Sequence, residues 1–235
     1  MIDTSKRRPL ASRQTRWANR AARLLADAGV TPNQISAAGM VAAMVAGMCF
    51  VLVPQAGPLG RAALLLLAAL FCQLRLVCNL LDGMVAVEGG KGAPDGPFWN
   101  EFPDRVSDIL ILAGAGIAAG LPALGWAAAA LAVLTAYVRS LGAAQGLSNH
   151  FDGPMAKPRR MWLLMLGCLL SLLEPALLVP MGLPRGSVLG VVLGVIALGS
   201  LATVVIRLQL IGSDLRTRAA GAEGVPGAAP GGQEC

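Results

Sequence analysis

Asparagine, aspartate and small residues recur at helical spacing on a stretch that lies beside strongly apolar segments. Asn79, Asp82, Gly83 and Ala86 stand at positions i, i+3, i+4 and i+7, so they share one face of a helix. Gly83 and Ala86 are small and leave this face open to a ligand. Because charge is costly beside apolar segments, the pattern indicates a functional site.

A second polar face follows a short distance along the chain. Asn100, Asp104 and Asp108 are spaced four residues apart, which again places them on one side of a helix. Carboxylate and amide oxygens are the ligands that hard divalent cations prefer. Two facing helices with these side chains predict a site for one or two divalent cations and for the phosphates that such ions neutralise.

The composition indicates that these helices belong to an integral membrane protein. The chain has 235 residues, of which 55% are hydrophobic and only 14% are charged, so it is more apolar than an ordinary soluble domain. Apolar runs near the length of a spanning helix predict an all-α bundle of six transmembrane helices. The runs cover residues 35–54, 62–81, 109–121, 123–138, 161–180 and 188–206.

Basic residues are distributed unevenly over the predicted bundle. Seven lysines and arginines precede residue 34, whereas the first, third and fifth loops contain only Arg61 and Arg185. The positive-inside rule then places both termini, and the polar faces of Asp82 and Asp104, at the cytoplasmic side of an inner membrane. The same rule and attraction to anionic lipids account for most of the net charge of +6, so we expect no nucleic-acid partner.

The chain divides into three predicted parts. Residues 1–30 form a cytoplasmic basic tail whose residues 11–26, with four arginines on one stripe, predict an interfacial amphipathic helix, a disordered tail being the alternative. Residues 31–213 form the six-helix transmembrane domain, and Thr31 is a predicted cap of its first helix. Residues 214–235, rich in Gly, Ala and Pro, are expected to be disordered.

The spacing of the polar residues resembles that of the CDP-alcohol phosphotransferase family, whose pattern is D-x2-D-G-x2-A-R-x8-G-x3-D-x3-D. Its positions are occupied here, without a gap, by Asn79, Asp82, Gly83, Ala86, Val87, Gly96, Asn100 and Asp104. Asn79 and Asn100 replace two acids, and Val87 replaces the arginine. A second register, with Asp104 and Asp108 as the last two acids, lengthens the loop by one helical turn and keeps the same face.

This resemblance implies a membrane transferase of phospholipid biosynthesis. Such an enzyme moves a substituted phosphoryl group from a CDP-linked donor, here with CDP-diacylglycerol favoured, to an alcohol and releases CMP. The resemblance implies that Mg²⁺ or Mn²⁺ is held by Asp82 and Asp104. Asn79 and Asn100 would be further ligands through their carbonyl oxygens. The last acid, Asp108 or Asp104 according to the register, would be the general base.

Other residues are predicted to bind the nucleotide or an anionic group. The nucleotide set is Gly83, Ala86, Gly96 and Arg75, and the phosphate or acceptor set is Arg139, Lys157, Arg159 and Arg160. Arg75 shares the face of Asp82 and is expected to pair with it or to contact the diphosphate. Simple positive-inside anchoring is the alternative for Arg159 and Arg160. An N-cap role is the alternative or additional role for Asn100.

Two functions of other classes remain open on the sequence. The asparagines at positions 79 and 100 are compatible with a catalytically silent relative that binds nucleotide or lipid. A small transporter is disfavoured, because the acids cluster at one membrane face and not at the midplane. Membrane lipids are expected partners, and small residues such as Gly190 and Gly194 allow a homodimer, although packing within one chain explains them as well.

Overall fold

The computed structural model describes residues 15–88, 95–147 and 151–223, which form α-helices, two short 3₁₀ turns and no strand. The helices are α1 (Arg16–Asp27), α2 (Pro32–Leu52), α3 (Pro58–Glu88), α4 (Gly96–Ala118), α5 (Pro122–Ala144), α6 (Lys157–Ser171), α7 (Glu174–Leu177) and α8 (Ser187–Glu223). The 3₁₀ turns are Val53–Gln55 and Val179–Met181. The predicted all-α architecture is therefore confirmed.

Four of these helices, α2, α3, α5 and α8, are long and apolar enough to cross a membrane. A fifth crossing results if α6 and the segment Glu174–Met181, which meet at a bend of 49°, count as one span. The remaining predicted span corresponds to α4, which has 23 residues but carries several charged residues in its first half. Four or five candidate spans make this a multi-pass membrane protein.

The ends of the helices follow from local sequence. Thr31 forms a capping box at the start of α2, because its hydroxyl accepts from the Gln34 N–H while the Gln34 side chain accepts from the Thr31 N–H. Helix α8 continues to Glu223, so the expectation of disorder is wrong for residues 214–223. Residues 224–235, the rest of that predicted tail, lie outside the described residues.

Helix α1 packs on the end of α3 that carries Asp82. Ala18 and Ala22 are buried in this contact, whereas Trp17 and Leu24 are exposed. Residues 1–14, which include the beginning of the predicted basic tail, lie outside the described part of the chain. The helix therefore presents one small face to the bundle and a mixed face of arginines and large apolar side chains outward.

Helix α4 is the central element, because it packs against α2, α3, α5 and α8. The backbones of α4 and α2 are in direct contact at glycines that leave no space for a side chain. A Cβ on Gly47 would lie 2.7 Å from the Leu110 carbonyl oxygen, and one on Gly114 would lie 2.7 Å from the Gly47 carbonyl oxygen. Small residues permit such an approach between membrane helices. The close contact brings the polar first half of α4 against α2 and α3.

The opposite end of the bundle is held by a buried ion pair. Glu174 accepts from Arg61 at 2.8 Å and from the N–H groups of Gly186 and Val188 at 2.9 and 2.8 Å. One carboxylate thus joins α3 to α7 and caps the start of α8.

Candidate active site

Asp82 lies on α3 with its carboxylate turned into the bundle. The Ser36 hydroxyl of α2 donates to one carboxylate oxygen at 2.7 Å, and the Gly83 N–H lies 2.6 Å from the other. Asp82 is buried, with 4% of its surface exposed. These contacts fix the direction of the carboxylate before any ligand binds, and Ser36 is a site residue that the sequence pattern did not reveal.

Arg75 lies two turns before Asp82 on α3, but its partners are on α4. Its Nε donates to the Ser107 hydroxyl at 2.8 Å, and its guanidinium forms an ion pair with Asp104. The predicted pair with Asp82 is therefore replaced by a pair with Asp104. Gly39 of α2 makes room for this arginine, since a Cβ there would lie 2.9 Å from Arg75 Nη1.

Asp104 is shared by two cations from different helices. The same carboxylate oxygen contacts Arg75 of α3 and Lys157, the first residue of α6. The Asp104 side chain keeps 14% of its surface exposed. Asp82 and Asp104 lie close enough for their negative charges to interact. The two acids on which the sequence analysis relied most are thus brought together at one end of the bundle.

Asp108 is one turn further into the bundle and has a different environment. Its carboxylate forms a 2.8 Å ion pair with Arg160 of α6, and its side chain is 0% exposed. The second oxygen, Oδ1, has no hydrogen-bond partner among the described residues. Arg160 also donates to the Met155 carbonyl at 3.1 Å. Arg160 is therefore engaged inside the protein, and its predicted phosphate-binding role stays a prediction.

A second, more exposed ion-pair cluster lies beside this site. Glu101 of α4 forms ion pairs with Arg105 on the next turn and with Arg139 of α5. The Arg139 guanidinium also lies 5.5 Å from the centre of the Phe151 ring. Arg159 is exposed, and its guanidinium donates to the Pro154 carbonyl at 3.0 Å. Arg139 is thus adjacent to the site, whereas Arg159 lies on the outside.

The remaining predicted residues are placed by their helices. Asn79 is partly exposed on α3, one turn from both Arg75 and Asp82, and Ala86 follows on the same face. Gly96 is the first residue of α4. Asn100 lies inside α4, so its predicted N-cap role is wrong, because Asp95 precedes the helix. The Asn100 side chain lies outside the described part of the structure.

Comparison with known proteins bears on the fold. No family model and no curated protein matches the sequence. Solved structures of the Mycobacterium tuberculosis phosphatidylinositol phosphate synthase PgsA1 do match. The structure with CDP-DAG bound is 25% identical, with a TM-score of 0.64, over 84% of this chain and 94% of that chain. The structure in complex with manganese and citrate is 21% identical, with a TM-score of 0.65, over 83% and 88%.

The chain has the fold of the CDP-alcohol phosphotransferases. The apo form of the same synthase agrees, with 24% identity and a TM-score of 0.60 over 81% of this chain and 93% of that chain. The resemblance drawn from the spacing of residues 79–108 is therefore confirmed by the three-dimensional comparison.

Within this CDP-alcohol phosphotransferase fold, the donor chemistry suits a hard divalent cation, because Asp82, with Ser36 bound to it, and Asp104 offer carboxylate and hydroxyl oxygens. No three His, Cys, Asp or Glu side chains in the described ranges are grouped to hold a metal ion. Two of the carboxylates are paired with cations of the chain: Lys157 and Arg75 contact Asp104, and Arg160 contacts Asp108. A divalent ion that binds Asp104 would compete with Lys157 for the carboxylate oxygen that the lysine contacts.

Proposed function

We propose that this protein is a CDP-alcohol phosphotransferase that moves a substituted phosphoryl group from a CDP-linked lipid to an alcohol and releases CMP. The observation that carries the proposal is that Asp82 of α3 and Asp104 of α4 lie within electrostatic reach of each other at one end of a bundle with this fold. CDP-diacylglycerol is the favoured donor, since the neighbour with 25% identity has CDP-DAG bound. The acceptor alcohol is the open part of the reaction.

Asp82 and Asp104 are the residues that would hold Mg²⁺ or Mn²⁺, with Asn79 and Asn100 offering carbonyl oxygens. When bound, the ion neutralises the negative charge of the diphosphate. Ser36 keeps the Asp82 carboxylate oriented towards the site. Gly83 and Ala86, on the same face of α3, and Gly96, at the start of α4, leave space for the nucleotide.

Asp104 is the better candidate for the general base. A base must come within hydrogen-bond reach of the hydroxyl that it deprotonates. Asp104 is partly accessible, whereas Asp108 is 0% exposed and paired with Arg160. This difference favours the ungapped register, in which Asp104 is the last acid of the motif. The role that we infer for Asp108 is to orient the Arg160 side chain.

Lys157 and Arg139 are the cations best placed to bind a phosphate of the donor or acceptor. Lys157 is 13% exposed and lies against Asp104, while Arg139 is 21% exposed and pairs with the outer Glu101. The Lys157 ammonium is itself buried, so a phosphate would have to replace Asp104 as its counter-charge, whereas the more exposed Arg139 can exchange Glu101 for a phosphate directly. Arg75 is 1% exposed, so we infer that it positions the Asp104 carboxylate and does not contact the nucleotide directly.

The membrane arrangement that accompanies this function has six spans, with α4 as the sixth. Its charged residues lie in the half that forms the site, so the rest of the helix is apolar. Both termini and the site would face the cytoplasm, as the excess of basic residues before residue 34 indicates. Helix α1, with exposed arginines beside Trp17 and Leu24, suits a position on the cytoplasmic lipid surface.

The decisive experiment is a CMP-release assay on the purified full chain in lipid nanodiscs. CDP-diacylglycerol and Mn²⁺ or Mg²⁺ are supplied, and glycerol phosphate, inositol phosphate, serine and other alcohols are tested in turn. Turnover with one acceptor supports the proposal, and Asp82→Asn should abolish it. Asp95→Asn is the matched control, because Asp95 is exposed and its carboxylate accepts a hydrogen bond from the exposed Asn33 amide.

A catalytically silent relative is the second candidate, and one observation favours it. Of the two carboxylates that would hold a metal, Asp104 is neutralised by Arg75 and Lys157 of the chain itself. Absence of CMP release with every acceptor, together with a higher melting temperature in the presence of CDP, would support a binding protein over an enzyme.

A further inference from the structure

One face of α8 holds the segment that leads into α6. Gly199, Thr203 and Arg207 are spaced four residues apart and therefore line up along this helix. All three touch residues 152–155, directly before Lys157. None of them belongs to the family motif, and α8 contributes none of the acidic residues of the site.

Gly199 and Thr203 fit the shape of this segment. A Cβ on Gly199 would lie 2.6 Å from Met155 Cε, so the glycine provides the space in which Met155 packs. Gly153 has a φ of +116°, and a Cβ there would lie 2.5 Å from Thr203 Cγ2. The segment therefore requires glycine at position 153 both for its backbone conformation and for its contact with α8.

Thr203 and Arg207 also provide polar contacts. The Met155 N–H donates to the Thr203 hydroxyl at 3.0 Å. The Arg207 Nε donates to the Asp152 carbonyl at 3.0 Å, and its Nη1 donates to the Thr135 carbonyl of α5 at 2.5 Å. Arg207 is buried, with 6% of its surface exposed. A buried arginine on a membrane helix is expensive, and here it satisfies carbonyl groups of two elements.

The same segment is bound from the site side by Arg160. Met155 donates its N–H to Thr203 and accepts from Arg160 through its carbonyl at 3.1 Å. Arg160 then reaches Asp108 at 2.8 Å. A continuous series of hydrogen bonds therefore runs from Thr203 on α8 to Asp108 on α4, and it passes the point at which α6 begins with Lys157.

We propose that Thr203 and Arg207 are positioning residues of the active site. They fix residues 152–155 and so determine where α6 begins, which sets Lys157 against Asp104 and Arg160 against Asp108. The inference rests on the proposed function for its consequence in turnover, but the positioning of the segment is measurable without any substrate.

Thr203→Val and Thr203→Ser form the first test, on the full chain in nanodiscs. Valine keeps the shape but removes the hydroxyl that accepts from Met155, whereas serine keeps the hydroxyl. Hydrogen–deuterium exchange of the peptide spanning residues 151–160 should be about tenfold faster in Thr203→Val and near that of the wild type in Thr203→Ser. Equal exchange in Thr203→Val and the wild type would overturn the proposal.

Ser200→Ala is the matched control on the same helix. The Ser200 hydroxyl is buried and has no hydrogen-bond partner in the described ranges, so its loss should leave exchange of residues 151–160 unchanged. Faster exchange in this control would mean that any buried change in α8 loosens the segment, which also contradicts a specific role of Thr203.

Turnover provides the second readout. Thr203→Val and Arg207→Met should lower kcat/KM for CMP release about tenfold or more, mainly through KM for the phosphate-bearing substrate, and Thr203→Ser should restore most of it. Faster exchange with unchanged kcat/KM would refute the positioning role and leave the proposed function intact. A wild-type chain that releases no CMP would refute the proposed function, while the exchange experiment would still test the hold on residues 151–160.

Discussion

Asp108 and Arg160 form an ion pair of 2.8 Å that joins α4 to α6, and both side chains are almost completely buried. Taking two charges out of water is costly, and each charge is tolerated because the other compensates it. The pair lies directly beneath the more accessible Asp104. The pair is therefore expected to contribute to stability and not to contact the substrate. Its removal should mainly lower stability, whereas removal of Asp104 should lower turnover.

Asp108→Asn should destabilise the protein by about 3 kcal/mol, because it leaves Arg160 as a buried cation without its counter-charge. Unfolding in denaturant, followed by circular dichroism in detergent, measures this loss. The double variant Asp108→Leu with Arg160→Met removes both charges and should be more stable than Asp108→Asn alone. A single variant as stable as the wild type would contradict the pairing.

Asp104→Asn should lower kcat for CMP release by at least about 100-fold, because it removes the accessible acid that we assign as the base. Its folding should be affected as well, since Asp104 is the counter-charge of the buried Arg75. Activity is expressed per folded protein, with the exposed Asp95→Asn as the control. Loss of turnover in a well-folded Asp108→Asn would favour the shifted register instead, whereas near-normal turnover in Asp104→Asn would contradict a role of Asp104 in either register.

Lys157→Met should bind Mn²⁺ roughly tenfold more tightly than the wild type, because a cation that competes for Asp104 has been removed. Electron paramagnetic resonance of free Mn²⁺ during titration measures the affinity without turnover. Arg216→Met removes one exposed positive charge away from the site and serves as the charge-matched control. Unchanged affinity in Lys157→Met would show that the lysine does not compete with the ion.

Gly39→Ala should destabilise the fold by about 1–3 kcal/mol and reduce turnover, because the added Cβ would lie 2.9 Å from both Arg75 Nη1 and Cys78 Cβ. Gly194→Ala is the control, since a Cβ at that helical position meets no atom of the described chain within 4 Å. The control should be neutral or slightly stabilising. Thermal unfolding of the two variants in the same detergent compares them directly, and equal melting temperatures would rule out close packing of Gly39 on Arg75.

Arg61→Met should lower stability by about 3 kcal/mol while leaving kcat per folded protein unchanged, because it breaks the buried pair with Glu174 at the end opposite the site. Denaturant unfolding measures the stability, and CMP release by the same preparation measures kcat per folded protein. A large fall in kcat at normal stability would connect this distant pair to catalysis.

Much of the fold could be read from the sequence, because bilayer thickness and helix periodicity act on local stretches of chain. The apolar runs predicted the long helices, and Thr31 predicted the start of α2. The spacing of residues 79–108 also led to the correct fold family. Local patterns failed where they were ambiguous: the tail begins later than composition suggested, and α4 begins at Gly96, before Asn100.

The sequence alone determined which acids share a helix face, since that depends only on the period of the helix. It did not determine which cation meets which acid, because partners such as Arg75 and Asp104 lie on different helices. That choice depends on the space that Gly39 leaves for the Arg75 side chain and on the backbone approach at Gly47, which only the packed structure reveals. The contributions of Ser36 and Thr203 were decided in the same way, since each acts across a helix interface and leaves no periodic signal.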